Sequence, residues 1–265
     1  MKLTANIQPM QRLRGVARRV GLISALEKRF PDPRALWARS IFSLHDIDDL
    51  IRLDVPWWTL RSIRIMDAYF RKHDTASCFE WGSGASTVWL AKRSGRVQYV
   101  EHHAGWKEVV EGHTANFDHV EGNLAEPPRI ETKPDYQSKA IGLRKHDFKQ
   151  YVHAVDAVEP QDVIVIDGRC RVRCYERAVP NLKDTGVIVF DNSNRTAYTK
   201  AIKKSGLPSI KTRGLTPCLP YPAETTLVFK TTDARDRMID FIQGEDRERL
   251  ERGDKGIALN GVPSA

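Results

Sequence analysis

The hydrophobic rhythm of the chain changes once, near residue 75. From about residue 9 to residue 72 the apolar positions recur mostly at helical spacing, interrupted by Pro31, Pro33 and Pro56, which predicts three or four helices in succession. From Ser77 onward, short β-rich runs alternate with helical stretches: SCFEW, VQYVEH, a weaker NFDHVEG, DVIVIDG, GVIVFDN, PSIKTRG and TTLVFK. That alternation predicts an α/β fold, a mostly parallel sheet with helices on both faces. Residues 163–166 and 187–190 are apolar at every position, as strands buried on both faces are, so they should lie in the middle of the sheet. Two segments fit neither rhythm. Residues 123–146 are polar, proline-rich and long for a connection, and GLTPCLPYPAE falls between the last two strands. After Asp233 one charged helix should run to about Arg252 and give way to a frayed GVPSA tail. There is no internal repeat.

Length and charge narrow the class. A chain of 265 residues with 41% hydrophobic composition can bury one large core with a helical appendage. No apolar stretch approaches the ~18 residues that span a bilayer, and MKLTANIQPMQRLRG lacks the apolar region of a signal peptide, so a soluble cytoplasmic protein is expected. Cys78, Cys170, Cys174 and Cys218 form no CxxC pair and are expected to be reduced. The net charge of +8 suits an anionic partner, but the basic residues are spread along the chain, which disfavours nucleic acid. The nearest thing to a cluster is Arg12, Arg14, Arg18, Arg19, Lys28 and Arg29, interleaved with Leu13, Val16, Val20, Leu22, Ile23 and Leu26. This reads as a basic amphipathic helix. The favoured expectation is that its apolar side docks on the domain; contact with a membrane surface or polyanion is the alternative.

The turn EWGSGAST, between the first strand and its helix, carries the chemistry. A phosphate-cradling loop would need a Gly-Lys-Ser/Thr ending, which Ala85-Ser86-Thr87 does not supply. A dinucleotide turn would want a third glycine where Thr87 stands, and Glu80 at the strand's end would repel a pyrophosphate. A carboxylate there would instead attract an ammonium group.

The E-x-G-x-G turn, the strand ending in Glu101, and the later VIVIDGR and GVIVFDN resemble the successive motifs of class I S-adenosylmethionine-dependent methyltransferases over roughly residues 75–230. The resemblance implies a Rossmann-like, doubly wound, seven-stranded sheet in residues 75–232, a helical preface capping the acceptor side in 1–74, and a C-terminal helix and tail in 233–265. It also implies S-adenosylmethionine held by Glu80, Gly82, Ser83 and Gly84, with Ser86 and Thr87 on the methionine carboxylate and Glu101 on the ribose hydroxyls. Of His102 and His103, which as successive strand residues cannot chelate one ion, one is expected near the adenosine (His102) and the other on the far side.

Asp167, Asp191 and Asn192 resemble the magnesium ligands of the cation-dependent, catechol-type O-methyltransferases, and oxygen ligands suit that hard cation. Where that family has a lysine base this chain has Cys170, flanked by Arg169 and Arg171. Either Asp167 takes the acceptor's proton or the arginines bind an acidic acceptor. Cys170 itself is read as an inert, half-buried thiol rather than a nucleophile. The expected reaction is O-methylation of a hydroxyl on a small-molecule or sugar-containing acceptor, with RNA methylation or a non-catalytic cofactor-binding scaffold as alternatives. Trp57, Trp58, Tyr136 and Tyr221 are candidates for stacking on the acceptor or for core packing. The oligomeric state is left open.

Overall fold

The computed structural model describes residues 7–132 and 135–251; the expected GVPSA tail lies outside them. The N-terminal region holds five α-helices, one more than the three or four expected: α1 (Ile7–Arg19), α2 (Leu22–Glu27), α3 (Pro33–Ser40), α4 (Ile47–Leu53) and α5 (Leu60–Lys72). Local chemistry sets the extra boundaries. Gly21, at φ +74°, takes the left-handed conformation that separates α1 from α2. Asp32 accepts a hydrogen bond from Arg34 N at 2.8 Å, with Pro33 as the first helical residue. Asp46 accepts from Asp49 N at 3.0 Å to start α4, and Thr59 accepts from Ser62 N at 3.3 Å to start α5.

All seven expected strands form: β1 (Ser77–Trp81), β2 (Arg96–Glu101), β3 (Val120–Leu124), β4 (Gln161–Ile166), β5 (Leu182–Asp191), β6 (Ser209–Gly214) and β7 (Ala223–Phe229). They make one sheet in the order β3-β2-β1-β4-β5-β7-β6, with β7 antiparallel to both of its neighbours. The connecting helices are α6 (Ala85–Ala91), α7 (Ala104–Thr114), α8 (Lys149–His153), α9 (Arg171–Ala178) and α10 (Thr196–Ser205), and α11 (Thr232–Glu251) follows the sheet. This is a Rossmann-like doubly wound fold. The strand order reverses between β1 and β4, and a sheet of this kind binds its ligands outside the carboxyl ends of its strands at such a point.

The continuous apolar runs of β4 and β5 follow from burial on both faces. Val163, Val165, Val187 and Val189 pack with α5, α6 and α11 on one side, while Ile164, Ile166, Ile188 and Phe190 pack with α8 and α9 on the other. Helix α4 through Leu50, α5 through Met66 and Phe70, and Trp58 between them belong to the first of these cores, so the preface is in part the covering layer of the sheet. Among the described residues no helix is long and apolar enough to cross a membrane.

The remainder of the preface is joined by charge. Arg39, fully buried, donates from Nε to Glu27 at 2.7 Å and from Nη1 and Nη2 to Asp49 at 3.0 and 2.9 Å. Arg52 reaches Glu27 at 2.7 Å, and Arg14 pairs with Asp46 and lies 3.1 Å from Asp49. One network therefore ties α1, α2, α3 and α4 together. The cap also grips the segment between β6 and β7: Trp37 Nε1 donates to Leu219 O at 2.8 Å, and Cys218 N donates to Ser40 Oγ at 3.0 Å.

Breaking a buried ion pair by removing one partner is costly because the other charge stays buried. Arg39→Met should therefore lower unfolding free energy by about 3–5 kcal/mol, read from urea denaturation. Acid should act through the same pair. Burial works against the charge of Asp49, yet hydrogen bonds from Arg39 and Ser43 and the fields of Arg39 and Arg14 outweigh it and hold the carboxyl down at about 2. The stabilisation is thus fully present above the unfolded value of roughly 3.9 and is lost as pH falls toward the folded one. The urea midpoint should drop across that window, and Asp49→Asn should flatten the drop.

Candidate active site at the carboxyl edge of the sheet

Beyond Trp81 the chain turns through Gly82, at φ +89°, where a side chain would be strained and its Cβ would sit 3.1 Å from Gly168 Cα. Gly168 is more tightly confined: a Cβ there would overlap the Tyr151 hydroxyl, at 1.8 Å. The ends of β1 and β4 thus approach as bare backbone, with the fully buried Tyr151 filling the space beside them. Sequence reasoning passed over both Gly168 and Tyr151. A glycine directly after the strand-end aspartate in VIVIDGR was the available signal.

Glu80 is fully buried. Its Oε2 accepts from the Thr87 hydroxyl at 2.6 Å, and Thr87 Oγ1 in turn accepts from Gly84 N at 3.0 Å. Thr87, also fully buried, is engaged inside the turn and holds its shape; its hydroxyl is not directed at a ligand carboxylate. Ser86 stays nearly buried at the start of α6. Glu80 Oε1 has no hydrogen-bond partner among the described residues. Burial, reinforced by the charges of Asp167 and Glu101 and only partly relieved by Ser86 and Thr87, pushes the Glu80 carboxyl up to about 8. At neutral pH this shift favours the protonated form.

Glu101 is the opposite case. Its Oε1 accepts the backbone N–H groups of His102 and His103 at 2.8 and 3.0 Å and lies 2.7 Å from His102 Nδ1, while Oε2 accepts from Ser83 Oγ at 3.0 Å. Burial opposes its charge, but His102 and Ser83 outweigh burial and keep it below the usual range. Ser83 thereby links the glycine turn to the end of β2, and Trp106 Nε1 donates to Ser83 O at 2.8 Å to fix it. Trp106 also covers Gly84 and was not anticipated. The His102 ring leans on Phe148 and Tyr151, whereas His103 caps α7 through Nδ1, so the two diverge.

Asp167 follows β4 and Asp191 ends β5. Arg171, in the first turn of α9, lies between them. Its Nη2 donates to Asp167 Oδ1 at 2.7 Å and Asp167 O at 3.1 Å, its Nη1 donates to Asp191 O at 2.7 Å and lies 3.6 Å from Asp191 Oδ2, and its Nε donates to Gly168 O at 3.1 Å. Asp191 accepts from Thr225 Oγ1 at 3.1 Å; burial and the neighbouring Asp167 raise its pKa. Asn192, at φ +53°, accepts from Arg195 Nη2 at 3.1 Å. Each of the three expected magnesium ligands therefore meets a guanidinium.

A divalent cation does not fit this donor set. The Arg171 charge stands between the two aspartates, and no group of three or more His, Cys, Asp or Glu side chains among the described residues could hold a metal. The magnesium expectation finds no support in this arrangement. The signal was Arg171 itself, four residues beyond Asp167, noted only as a neighbour of Cys170. Arg169 is exposed at the same edge, its backbone N donating to Tyr151 Oη at 3.3 Å. Burial raises the Cys170 thiol to about 12 against the pull of Arg169 and Arg173, so the thiol is unreactive, as expected. Of the candidate stacking rings, Trp58 is fully buried against Trp89 at 5.5 Å and is core. Tyr136 is half-buried with its hydroxyl 3.0 Å from His153 Nε2, and Tyr221 is exposed.

No family model and no curated protein matches the sequence. Solved structures with similar folds include a precorrin-8w decarboxylase from Methanobacterium thermoautotrophicum, 15% identical, with a TM-score of 0.44, 66% of this chain and 91% of that one covered. A precorrin-6y C5,15-methyltransferase from Geobacter metallireducens is 15% identical over 64% of this chain and 88% of its own, TM-score 0.43. A methyltransferase-like protein from Silicibacter pomeroyi is 21% identical over 67% and 93%, TM-score 0.42. The fold assignment rests on this chain's own strand order rather than on these distant likenesses.

The arginine between the aspartates makes a prediction. Chelator should leave the melting temperature of the protein unchanged. Arg171→Met should destabilise it by about 3 kcal/mol, because the buried Asp191 and the partly exposed Asp167 lose their counter-charge. Millimolar magnesium should restore part of that loss in the variant alone, seen as a rise in melting temperature.

Proposed function

We propose that this chain is an S-adenosylmethionine-dependent methyltransferase acting on a hydroxyl oxygen of a small-molecule or sugar-containing acceptor. The observation that carries the reading is Glu80: a buried carboxyl whose Oε1 lacks a donor, beside a glycine turn and one strand away from the ionised Glu101. An ammonium group fits the open oxygen, and a cis-diol fits a carboxylate at the end of β2. Gly82, Ser83 and Gly84 form the edge between them. For a diol to reach Glu101 Oε2, the Ser83 hydroxyl must give way, so Ser83 holds the site in shape until the ligand arrives.

When bound, S-adenosylmethionine supplies an electrophilic methyl group. The chain's part is to hold the acceptor in line, exclude water and receive a proton. Asp167 is the base in this reading. Its Oδ1 is fixed by Arg171, its side chain retains some exposure, and it stands at the strand end next to the turn. Arg169, exposed beside it, orients an acceptor that carries negative charge.

Calorimetric titration with S-adenosylmethionine tests the reading. The protein should bind it, Glu80→Gln should weaken binding about tenfold, or ~1.4 kcal/mol, and Glu101→Ala should weaken S-adenosylhomocysteine as well. Because Glu80 is protonated without ligand, meeting an ammonium should release a proton. The heat at pH 7 should then vary with the ionisation enthalpy of the buffer. Absence of binding heat would leave the protein a non-catalytic scaffold.

A further inference from the structure

The expectation that α1 docks its apolar side holds only in part. Ala17 is buried and Arg14 points inward to Asp46 and Asp49, but Leu13, Val16, Val20 and Leu22 are 51%, 56%, 72% and 43% exposed. Together with Phe30 they make five of the nine large hydrophobic residues exposed among the described residues, gathered within one short stretch. An exposed apolar concentration of this kind marks a contact surface rather than a solvated face. Arg12, Arg18 and Arg19 are exposed on the same helix, and residues 1–26 contain no Asp or Glu.

A second feature of the cap has the same chemistry. An open groove of about 510 Å³ has apolar Leu26, Ala35, Trp37 and Leu215 in its lining together with the exposed Arg29 and Arg34. The nearby acids are engaged with the protein itself. Glu27 is held by Arg39 and Arg52, and Asp32 caps α3, with Arg29 3.4 Å away.

We propose that the face formed by α1, α2 and the start of α3 docks on an anionic lipid bilayer, with Leu13, Val16, Val20 and Leu22 entering the interface and Arg12, Arg18 and Arg19 meeting the headgroups. Apolar residues bordered by arginine on an otherwise acid-free helix are what such a surface selects. A second copy of the chain fits worse, since pairing this face with itself would bring like charges together. The cap is bonded to the segment between β6 and β7, which leads into β7 beside Asp191, so the docking face belongs to the element that covers this part of the sheet.

The test is flotation of the full chain with vesicles of phosphatidylcholine alone or with about one-third phosphatidylglycerol, at physiological ionic strength. Partition onto the anionic vesicles is expected, at least about tenfold above the neutral ones. Val16→Asp, and separately Arg18→Glu with Arg19→Glu, should each reduce it by a similar factor while melting temperature stays unchanged, because these side chains are exposed. No partition onto anionic vesicles, equal partition onto neutral ones, or full partition by both folded variants would overturn the proposal. So would a concentration-dependent dimer abolished by Val16→Asp, which would assign the stripe to a second copy. The comparison of the two vesicle types with unaltered protein decides the matter even if a variant fails to fold.

Discussion

Four carboxyl groups meet at the ends of four adjacent parallel strands: Glu101 on β2, Glu80 on β1, Asp167 beyond β4 and Asp191 on β5. Four negative charges, three of them buried and that of Asp167 partly exposed, cannot coexist there without compensation, since each disfavours ionisation of the others. The local structure is the set of solutions. Glu80 keeps its proton. Glu101 collects two backbone N–H groups, Ser83 and His102. Asp167 and Asp191 share Arg171. Each solution fixes a neighbouring backbone segment: the Glu80 and Glu101 contacts shape the glycine turn and the start of α7, and Arg171 closes the start of α9 against two strand ends. The acids carry the proposed chemistry, and their compensation supplies the geometry.

The cap follows a related rule with a different outcome. Around Arg39 and Asp49 the charges find partners, and the network joins α1 to α4. The price of using Arg14 as an inward ligand is orientation. With Arg14 facing Asp46 and Asp49, the rotation of α1 is set, and Leu13 and Val16 cannot also turn inward. The exposure of Leu13 and Val16 is therefore consistent with the ionic network setting the rotation of α1.

Much of this was legible in the sequence because it depends on local pattern. The two-residue period and the unbroken apolar runs place every strand, and even the weak NFDHVEG run overlaps β3 through Val120, Glu121 and Gly122. The glycine turn with Glu80 and Glu101 could be found because strand end, turn and helix start are contiguous. What escaped depends on groups that meet only after folding. Gly168 is needed because Tyr151 arrives from α8, and the role of Arg171 requires β4 and β5 side by side. Thr87 was assigned to a ligand because nothing local shows that its hydroxyl would be captured by Glu80. The extra helix came from Gly21, whose left-handed turn interrupts a periodicity that continues past it.

A guanidinium between Asp167 and Asp191 limits what this edge can do for an acceptor. A metal ion with open coordination positions can take an acceptor oxygen as a ligand and lower its pKa directly. Arg171 cannot, because four of its five N–H donors already go to Gly168 O, Asp191 O, Asp167 O and Asp167 Oδ1. Its contribution is to make the ionised form of Asp167 tolerable and to fix Oδ1, leaving Oδ2 as the one carboxylate oxygen of that residue free of Arg171. Under the proposed function, an acceptor hydroxyl at this edge would lose its proton to a carboxylate. That chemistry suits a hydroxyl acidified by its own substituents better than an unactivated alcohol, since a carboxylate is a weak base and proton transfer is most effective between groups of matched pKa. Under the same proposal Arg169 would have a place: an acidic acceptor would carry negative charge as the proton leaves, and an exposed guanidinium two residues from Asp167 could meet it.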